Sequence, residues 1–269
     1  MGYAIRVENL RKSYGDNEVL KGLTFDVEQG EIFGILGING AGKTTTLECI
    51  EGFRRYDGGS IRVCGSIGIQ LQSASLPAYI RPMEAVRLIA GWKGTKAEPE
   101  MLSALGVDAL SRKRYMDLST GQKRRLHLAL AMIGRPDILF LDEPTAGLDV
   151  EGRLSLHEQI RGLRQQGTTM VLASHDMAEV EALCTRIAIL NRGQIAFLGT
   201  TAELTDKVQR CYNIKVVTDQ GEETCVAENI GETMLAILEE CRRRERQILD
   251  IQISRGTLEQ HFLDIAKGA

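Results

Sequence analysis

The run Gly37-Ile38-Asn39-Gly40-Ala41-Gly42-Lys43-Thr44 constrains this chain more than any other feature. It fits G-x-x-x-x-G-K-[ST], a turn that only makes physical sense between a strand and a helix. Its glycines let the backbone curl until successive N–H groups point inward at phosphate oxygens. A helix that follows adds its positive N-terminal end to the same point. Lys43 reaches the β- and γ-phosphates, and the Thr44 hydroxyl is a magnesium ligand. The apolar run Glu31-Ile32-Phe33-Gly34-Ile35-Leu36 ahead of the loop suits a central strand covered on both faces, and Thr44–Glu51 suits the helix. Residues Gly37 to Thr44, with Thr45, are therefore the expected triphosphate contacts.

A second apolar run, Ile138-Leu139-Phe140-Leu141, ends in Asp142-Glu143. A strand ending beside a phosphate loop is where a magnesium ion needs a carboxylate. Asp142 is expected to hold that ion, directly or through water. Glu143 is then placed to polarise the attacking water. Without the phosphate loop, two acids before Pro144 would read equally well as solvated strand ends.

The chain between and beyond these motifs alternates strand and helix. Half-buried strands are expected at Ile5–Val7 and Leu23–Val27, with a turn at Gly15-Asp16-Asn17, and shorter ones at Ser60–Val63 and Ile67–Leu71. Helical periodicity from Pro82 to about Arg135 marks an inserted helical subdomain. Strands return at Ile138–Leu141, Thr169–Ala173, Ile187–Leu190 and Ile195–Leu198, alternating with helices Glu151–Gln166 and Met177–Leu183. That alternation predicts an α/β fold with a mostly parallel sheet and helices on both faces. Residues Thr201–Ala269 read as helix, strand pair, helix, strand, helix. The 269-residue length suits one large domain with a small appendix, here 1–205 and 206–269.

Net charge is −3, so no global field draws the chain to nucleic acid, and none is expected as a partner. No apolar run reaches the ~18 residues that span a bilayer. Met1–Arg6 lacks the basic-then-apolar layout of a signal peptide, and Arg6 spoils a myristoylation pattern. The six cysteines form no C-x-x-C pair, which favours reduced thiols over disulfides or zinc. The basic run Arg242-Arg243-Arg244 reads as a solvated helix end.

Leu118-Ser119-Thr120-Gly121-Gln122, shortly before the Asp-Glu strand, resembles the LSGGQ signature of ABC transporter nucleotide-binding subunits. Further matches follow in that family's order over roughly residues 3–205. The resemblance implies a P-loop NTPase fold: a mostly parallel sheet, an antiparallel β subdomain, a helical subdomain at about 75–135, and here a small α+β C-terminal extension. It implies ATP as substrate with Mg²⁺, and hydrolysis. It places Tyr14 against adenine, and Gln72 on the metal or the water, with Gln70 the rival register. Asp149, in Ala146-Gly147-Leu148-Asp149, falls on the dimer-contact loop, and His175 on the switch histidine. Ser119, Gly121 and Gln122 would complete the site of a second ATP-binding subunit, identical or not. Thr120 departs from the family, which usually has glycine there.

One phosphate loop, one signature and no membrane span imply a cytoplasmic subunit, peripheral on the membrane's cytoplasmic face, that pairs with a separate permease. Docking is expected near Gln72 and Leu76–Val86, where Tyr79, Ile80 and Met83 cluster. The segment Ile69–Gln72 with Leu76-Pro77, and the ending Leu258–Leu263, resemble the exporter branch that handles drugs and polysaccharides. The alternative is a soluble ABC-type ATPase with no transport role.

Overall fold

The computed structural model describes residues 2–70, 75–209, 212–227 and 229–255. Two compact units divide the chain, Met1–Leu198 and Gly199–Ala269. That division falls ahead of the 205/206 boundary expected from sequence, because helix α7 (Thr201–Gln209) belongs to the second unit.

The first unit is built on a six-stranded sheet of order β5-β6-β7-β3-β8-β9. Its strands are β3 (Ile32–Leu36), β5 (Ile67–Gln70), β6 (Ile138–Asp142), β7 (Thr169–Ser174), β8 (Arg186–Asn191) and β9 (Gln194–Thr200). The pairs β5–β6, β6–β7, β7–β3 and β3–β8 all run parallel, so their C-terminal ends share one edge. Strands β3, β6 and β7 are buried along their whole length, which is why their sequences are continuous apolar runs.

A separate antiparallel sheet, β2-β1-β4, covers one face. It comprises β1 (Tyr3–Tyr14), β2 (Asn17–Glu28) and β4 (Gly58–Val63). Strands β1 and β2 are much longer than the segments expected from alternation, and they turn at Gly15-Asp16, where Tyr14 pairs with Asn17. Register shifts along β1 break the period-two signal, which hid its full length. Ile5, Val7, Leu10, Leu23, Phe25 and Val27 pack from this sheet onto Phe33, Ile35, Phe140 and Val171 of the parallel one. Helix α1 (Lys43–Ile50) contributes Leu47, Cys49 and Ile50 to the same core.

Helices α4 (Thr120–Met132), α5 (Val150–Gln165) and α6 (Met177–Leu183) follow the strands, with α4 beside β5 and α6 against β3 and β7. The approach of α6 to the sheet is close. A Cβ added at Gly34 of β3 would lie 2.9 Å from Cys184 Sγ and 3.0 Å from Val180 Cγ1. The helical insertion begins with α2 (Pro82–Trp92) and α3 (Pro99–Ala104) and runs into α4.

In the second unit, β10 (Tyr212–Thr218), β11 (Gly221–Ala227) and β12 (Ile248–Arg255) form a sheet of order β11-β10-β12, antiparallel at both pairings. Helix α8 (Ile230–Arg243) lies in sequence between β11 and β12, and its Met234 and Ile237 pack with Ile214 and Val216. The basic run closes α8, as expected for a helix end. The ending Leu258–Leu263 lies outside the described residues, so the last helix expected in Thr201–Ala269 is not described.

Gly34→Ala should lower stability by about 1–3 kcal/mol, because the packed Cys184 and Val180 must give way. Gly162→Ala in α5, where a Cβ meets nothing within 4 Å, should instead raise it by roughly 0.5–1 kcal/mol. Chemical denaturation of the two variants checks both signs.

Candidate functional site

The C-terminal edge of the parallel sheet gathers the loops expected to carry chemistry. Residues 37–42 link β3 to α1 without a side-chain cap, and Gly42 holds φ at 105°, a left-handed conformation that glycine adopts without strain. A Cβ there would also lie 2.8 Å from Leu20 Cδ2. Ala41 N–H donates back to Ile38 O at 3.1 Å, closing the loop on itself. Asn39, Gly40 and Thr44 are exposed at the mouth, while Lys43 is buried.

The Lys43 ammonium donates to Gly37 O at 2.7 Å and Ile38 O at 3.3 Å, so it lies folded inside the loop. Burial lowers its pKa, and the nearby Glu143 and Asp142 oppose that shift. Thr44 Oγ1 donates to Asp142 Oδ2 at 3.4 Å, joining the helix start to the end of β6. Asp142 is 6% exposed, and its other oxygen, Oδ1, is buried with no hydrogen-bond partner. Burial raises its pKa first and Glu143 second, against the hydrogen bond from Thr44 and the charge of Lys43.

That orphaned carboxylate oxygen tests the fit of a metal. A hydroxyl and a carboxylate oxygen are hard donors suited to Mg²⁺, which takes one or two protein ligands and completes its shell with phosphates and water. No cluster of three or more His, Cys, Asp or Glu residues exists among the described residues, so a protein-only metal cage is not the alternative there. Gln72 lies outside the described residues. The rival Gln70 ends β5, 2% exposed, with both amide atoms unpartnered.

Glu143 follows β6 with φ at 46°, a left-handed conformation rare for a residue with a side chain. Its N–H donates to Ala173 O of β7 at 2.9 Å, and its Oε1 lies 2.9 Å from Nδ1 of His175. The structure thus brings Lys43, Thr44, Asp142, Glu143 and His175 to one edge.

The signature residues occupy another place. Ser119 caps α4 by accepting from Gln122 N–H at 3.3 Å, and Gln122 Oε1 accepts from Ser119 N–H at 3.2 Å. This reciprocal box satisfies two end donors. Asp149 likewise caps α5, accepting from Gly152 N–H at 2.9 Å. The two caps adjoin: Leu148 approaches Gly121, and Thr120 Cγ2 lies near Gly147. Together they line a polar cleft of about 510 Å³. Tyr14 ends β1, 42% exposed, with Lys12 and Arg54 cations 5.4 and 5.3 Å from its ring centre.

The motifs did not reveal the contacts of the residues that flank His175, Ser174 with Glu179 and Asp176 with Arg153. The available signal was Asp176 followed three residues later by Glu179, the pattern of a helix start.

A phosphate loop on a parallel sheet, a hydroxyl–carboxylate pair and a carboxylate–imidazole pair define a P-loop nucleoside triphosphatase. The comparisons with known proteins narrow that class. The ABC transporter family model matches residues 20–146. Nod factor export ATP-binding protein I of Paraburkholderia xenovorans (strain LB400) is 35% identical over 231 residues, 79% of this chain and 76% of that protein. Linearmycin resistance ATP-binding protein LnrL of Bacillus subtilis (strain 168) is 33% identical over 76% of this chain and 71% of its own length. A solved ATP-binding subunit of an ABC transporter superposes with TM-score 0.69 at 25% identity, over 76% of this chain and 92% of that one. The chain belongs to the ABC transporter ATP-binding family, and it is an ATP-binding, ATP-hydrolysing protein. No helix among the described residues is long and apolar enough to cross a membrane.

Glu51, the C-cap of α1, supplies a pH test. Burial, then Asp142 and Glu48, raise its pKa to about 7 from an ordinary 4.5. The folded state therefore holds this proton more tightly than the unfolded state. Below about pH 4.5 both states are protonated and nothing is lost; as pH rises to 7 and beyond, stability falls. With nucleotide and magnesium removed, Glu51→Gln should melt a few degrees above wild type at pH 8, a gain of roughly 1 kcal/mol. At pH 4.5 the gain should vanish, as thermal melts at the two pH values will show.

Proposed function

We propose that this chain is the energising subunit of an exporter, hydrolysing MgATP in a dimer that drives a separate membrane permease. The observation that carries the reading is the edge where Lys43, Thr44, Asp142, Glu143 and His175 converge while Ser119, Gly121 and Asp149 form their own cleft. One chain then holds two different half-sites.

In this reading, the backbone N–H groups of Gly37 to Thr44 take the phosphates of ATP, with Thr45 beside them on α1. Lys43 leaves the Gly37 and Ile38 carbonyls for the phosphate oxygens, a stronger, charge-assisted partner. Thr44 and Asp142 hold Mg²⁺, with Gln72 as a further ligand. When bound, the ion neutralises charge on the β- and γ-phosphates. Asp142 Oδ1 gains the partner that it otherwise lacks.

Glu143 orients the attacking water and accepts its proton. His175 Nδ1 is held by Glu143, which leaves Nε2 to meet the γ-phosphate. Tyr14 offers its face to adenine. Ser119, Gly121, Gln122 and Asp149 complete the site of the second ATP-binding chain across the dimer, where the α4 N-terminus aims N–H groups at its γ-phosphate.

The names of the two relatives, one a Nod factor export protein and one a linearmycin resistance protein, support the export direction. The permease is placed on the helical insertion, with the chain peripheral on the cytoplasmic face. Tyr79, Leu88 and Trp92 are exposed there, at 70%, 62% and 82%, an unusual concentration of large apolar side chains. An apolar groove of about 890 Å³ lined by Met83, Val86, Ala90 and Leu102 lies in the same insertion, consistent with docking at Leu76–Val86.

Glu143→Gln keeps the shape of the site and removes its base. It should bind ATP, lose roughly 10²-fold or more of turnover, and accumulate as an ATP-bound dimer. Steady-state ATPase assays with size-exclusion chromatography check this; wild-type turnover would contradict the assigned role.

A further inference from the structure

We infer that Glu179 is a positioning residue for hydrolysis, the buried post on α6 that fixes the loop carrying His175. The inference rests on the proposed role of His175 and adds residues to which no motif points.

Glu179 is 1% exposed, in the first turn of α6. A carboxylate is almost never so deeply buried unless it has partners. Its Oε2 accepts from the Ser174 hydroxyl at 2.5 Å. Ser174, 2% exposed, also accepts from Asp176 N–H at 3.0 Å. The single hydroxyl hydrogen of Ser174 is thus committed to Glu179, and its oxygen to Asp176. These bonds hold the residues immediately before and after His175 to one buried carboxylate. The other oxygen, Oε1, is buried with no hydrogen-bond partner; burial raises the pKa of Glu179, and the Ser174 and Thr145 hydroxyls oppose that shift.

A parallel link runs outside this pair. Asp176 caps α6 through Ala178 N–H at 2.9 Å, and its Oδ2 pairs with Arg153 Nη1 at 3.0 Å. Arg153 lies one turn into α5, where its N–H donates to Asp149 O at 3.0 Å. The segments around Glu143 and His175 are therefore tied through Glu143 N–H to Ala173 O and Glu143 to His175, and just beyond the first loop through Arg153 to Asp176. The Ser174–Glu179 bond is buried on both sides, so it is the one that water does not weaken. Ser174 and Asp176 together hold the His175 loop to α6 and, by way of Arg153, to the helix that Asp149 caps.

The test is a double-mutant cycle on MgATP hydrolysis by the full chain: wild type, Glu179→Ala, His175→Ala and the double variant. Glu179→Ala should lower kcat about tenfold or more, as for a displaced catalytic group, with KM within about twofold of wild type. In the His175→Ala background the Glu179 change should add nothing, because it acts through the missing ring. Glu179→Gln, which keeps an acceptor oxygen for Ser174, should restore most of the rate. If Glu179→Ala does not fold, Ser174→Ala removes the same bond with one atom lost, and the cycle runs on it. Losses that multiply in full, or a folded Glu179→Ala or Ser174→Ala variant with wild-type kcat, would overturn the inference. Unchanged turnover in His175→Ala alone would instead refute the histidine role on which it rests.

Discussion

The upper edge of the sheet is arranged around the buried ammonium of Lys43. A cation removed from water must find oxygen, and here it finds the carbonyls of Gly37 and Ile38 and the charges of Asp142 and Glu143. The left-handed Gly42, the clearance at Leu20 and the start of α1 all serve to bring that ammonium inside the loop. The same pocket leaves Asp142 with one oxygen unsatisfied. Burial sets up electrostatic tension in both directions: the lysine is held below its ordinary pKa and the aspartate above. In the proposed reading a magnesium-bound triphosphate would relieve both, by giving Lys43 anionic oxygens and Asp142 a cation.

Parallel pairing explains why the remaining groups arrive at the same place. Strands β3, β6 and β7 all end at this edge, so the residues that follow each one are neighbours however far apart in sequence. Glu143 and His175 are 32 residues apart and meet at 2.9 Å. The signature residues sit on α4, and their cleft is formed with the 147–149 loop rather than with the phosphate loop. In the proposed reading the chain carries both halves of a site, separated, which is the geometry of a two-fold partner to itself or to a close relative.

Much of this was legible in the sequence because the motifs impose their own local structure. Gly37–Thr44 demands a strand–turn–helix, and the continuous apolar runs before it and before Asp142 are what doubly covered strands look like. The Met177–Leu183 helix was read to the residue, since Asp176 caps it and Cys184 ends it. Legibility failed where long-range packing decides. Register shifts in β1 disguised a strand of twelve residues as a short one. The sequence marks Asp176 and Glu179 as a helix start, but not the buried Ser174–Glu179 bond, because a buried glutamate and a solvated one look alike until the fold encloses them. The reciprocal caps at Ser119 and Asp149 show the converse. Each is an ordinary helix start, and only their adjacency makes a cleft.

The central claim is that one chain supplies half of each catalytic site. The most direct measurement is specific ATPase activity as a function of protein concentration, from well below to well above the range where sedimentation shows dimers with MgATP. The account predicts that turnover per chain is low in the dilute limit and rises with the dimer fraction to a plateau. Turnover per chain that stays constant at its full value while the protein is monomeric would contradict it.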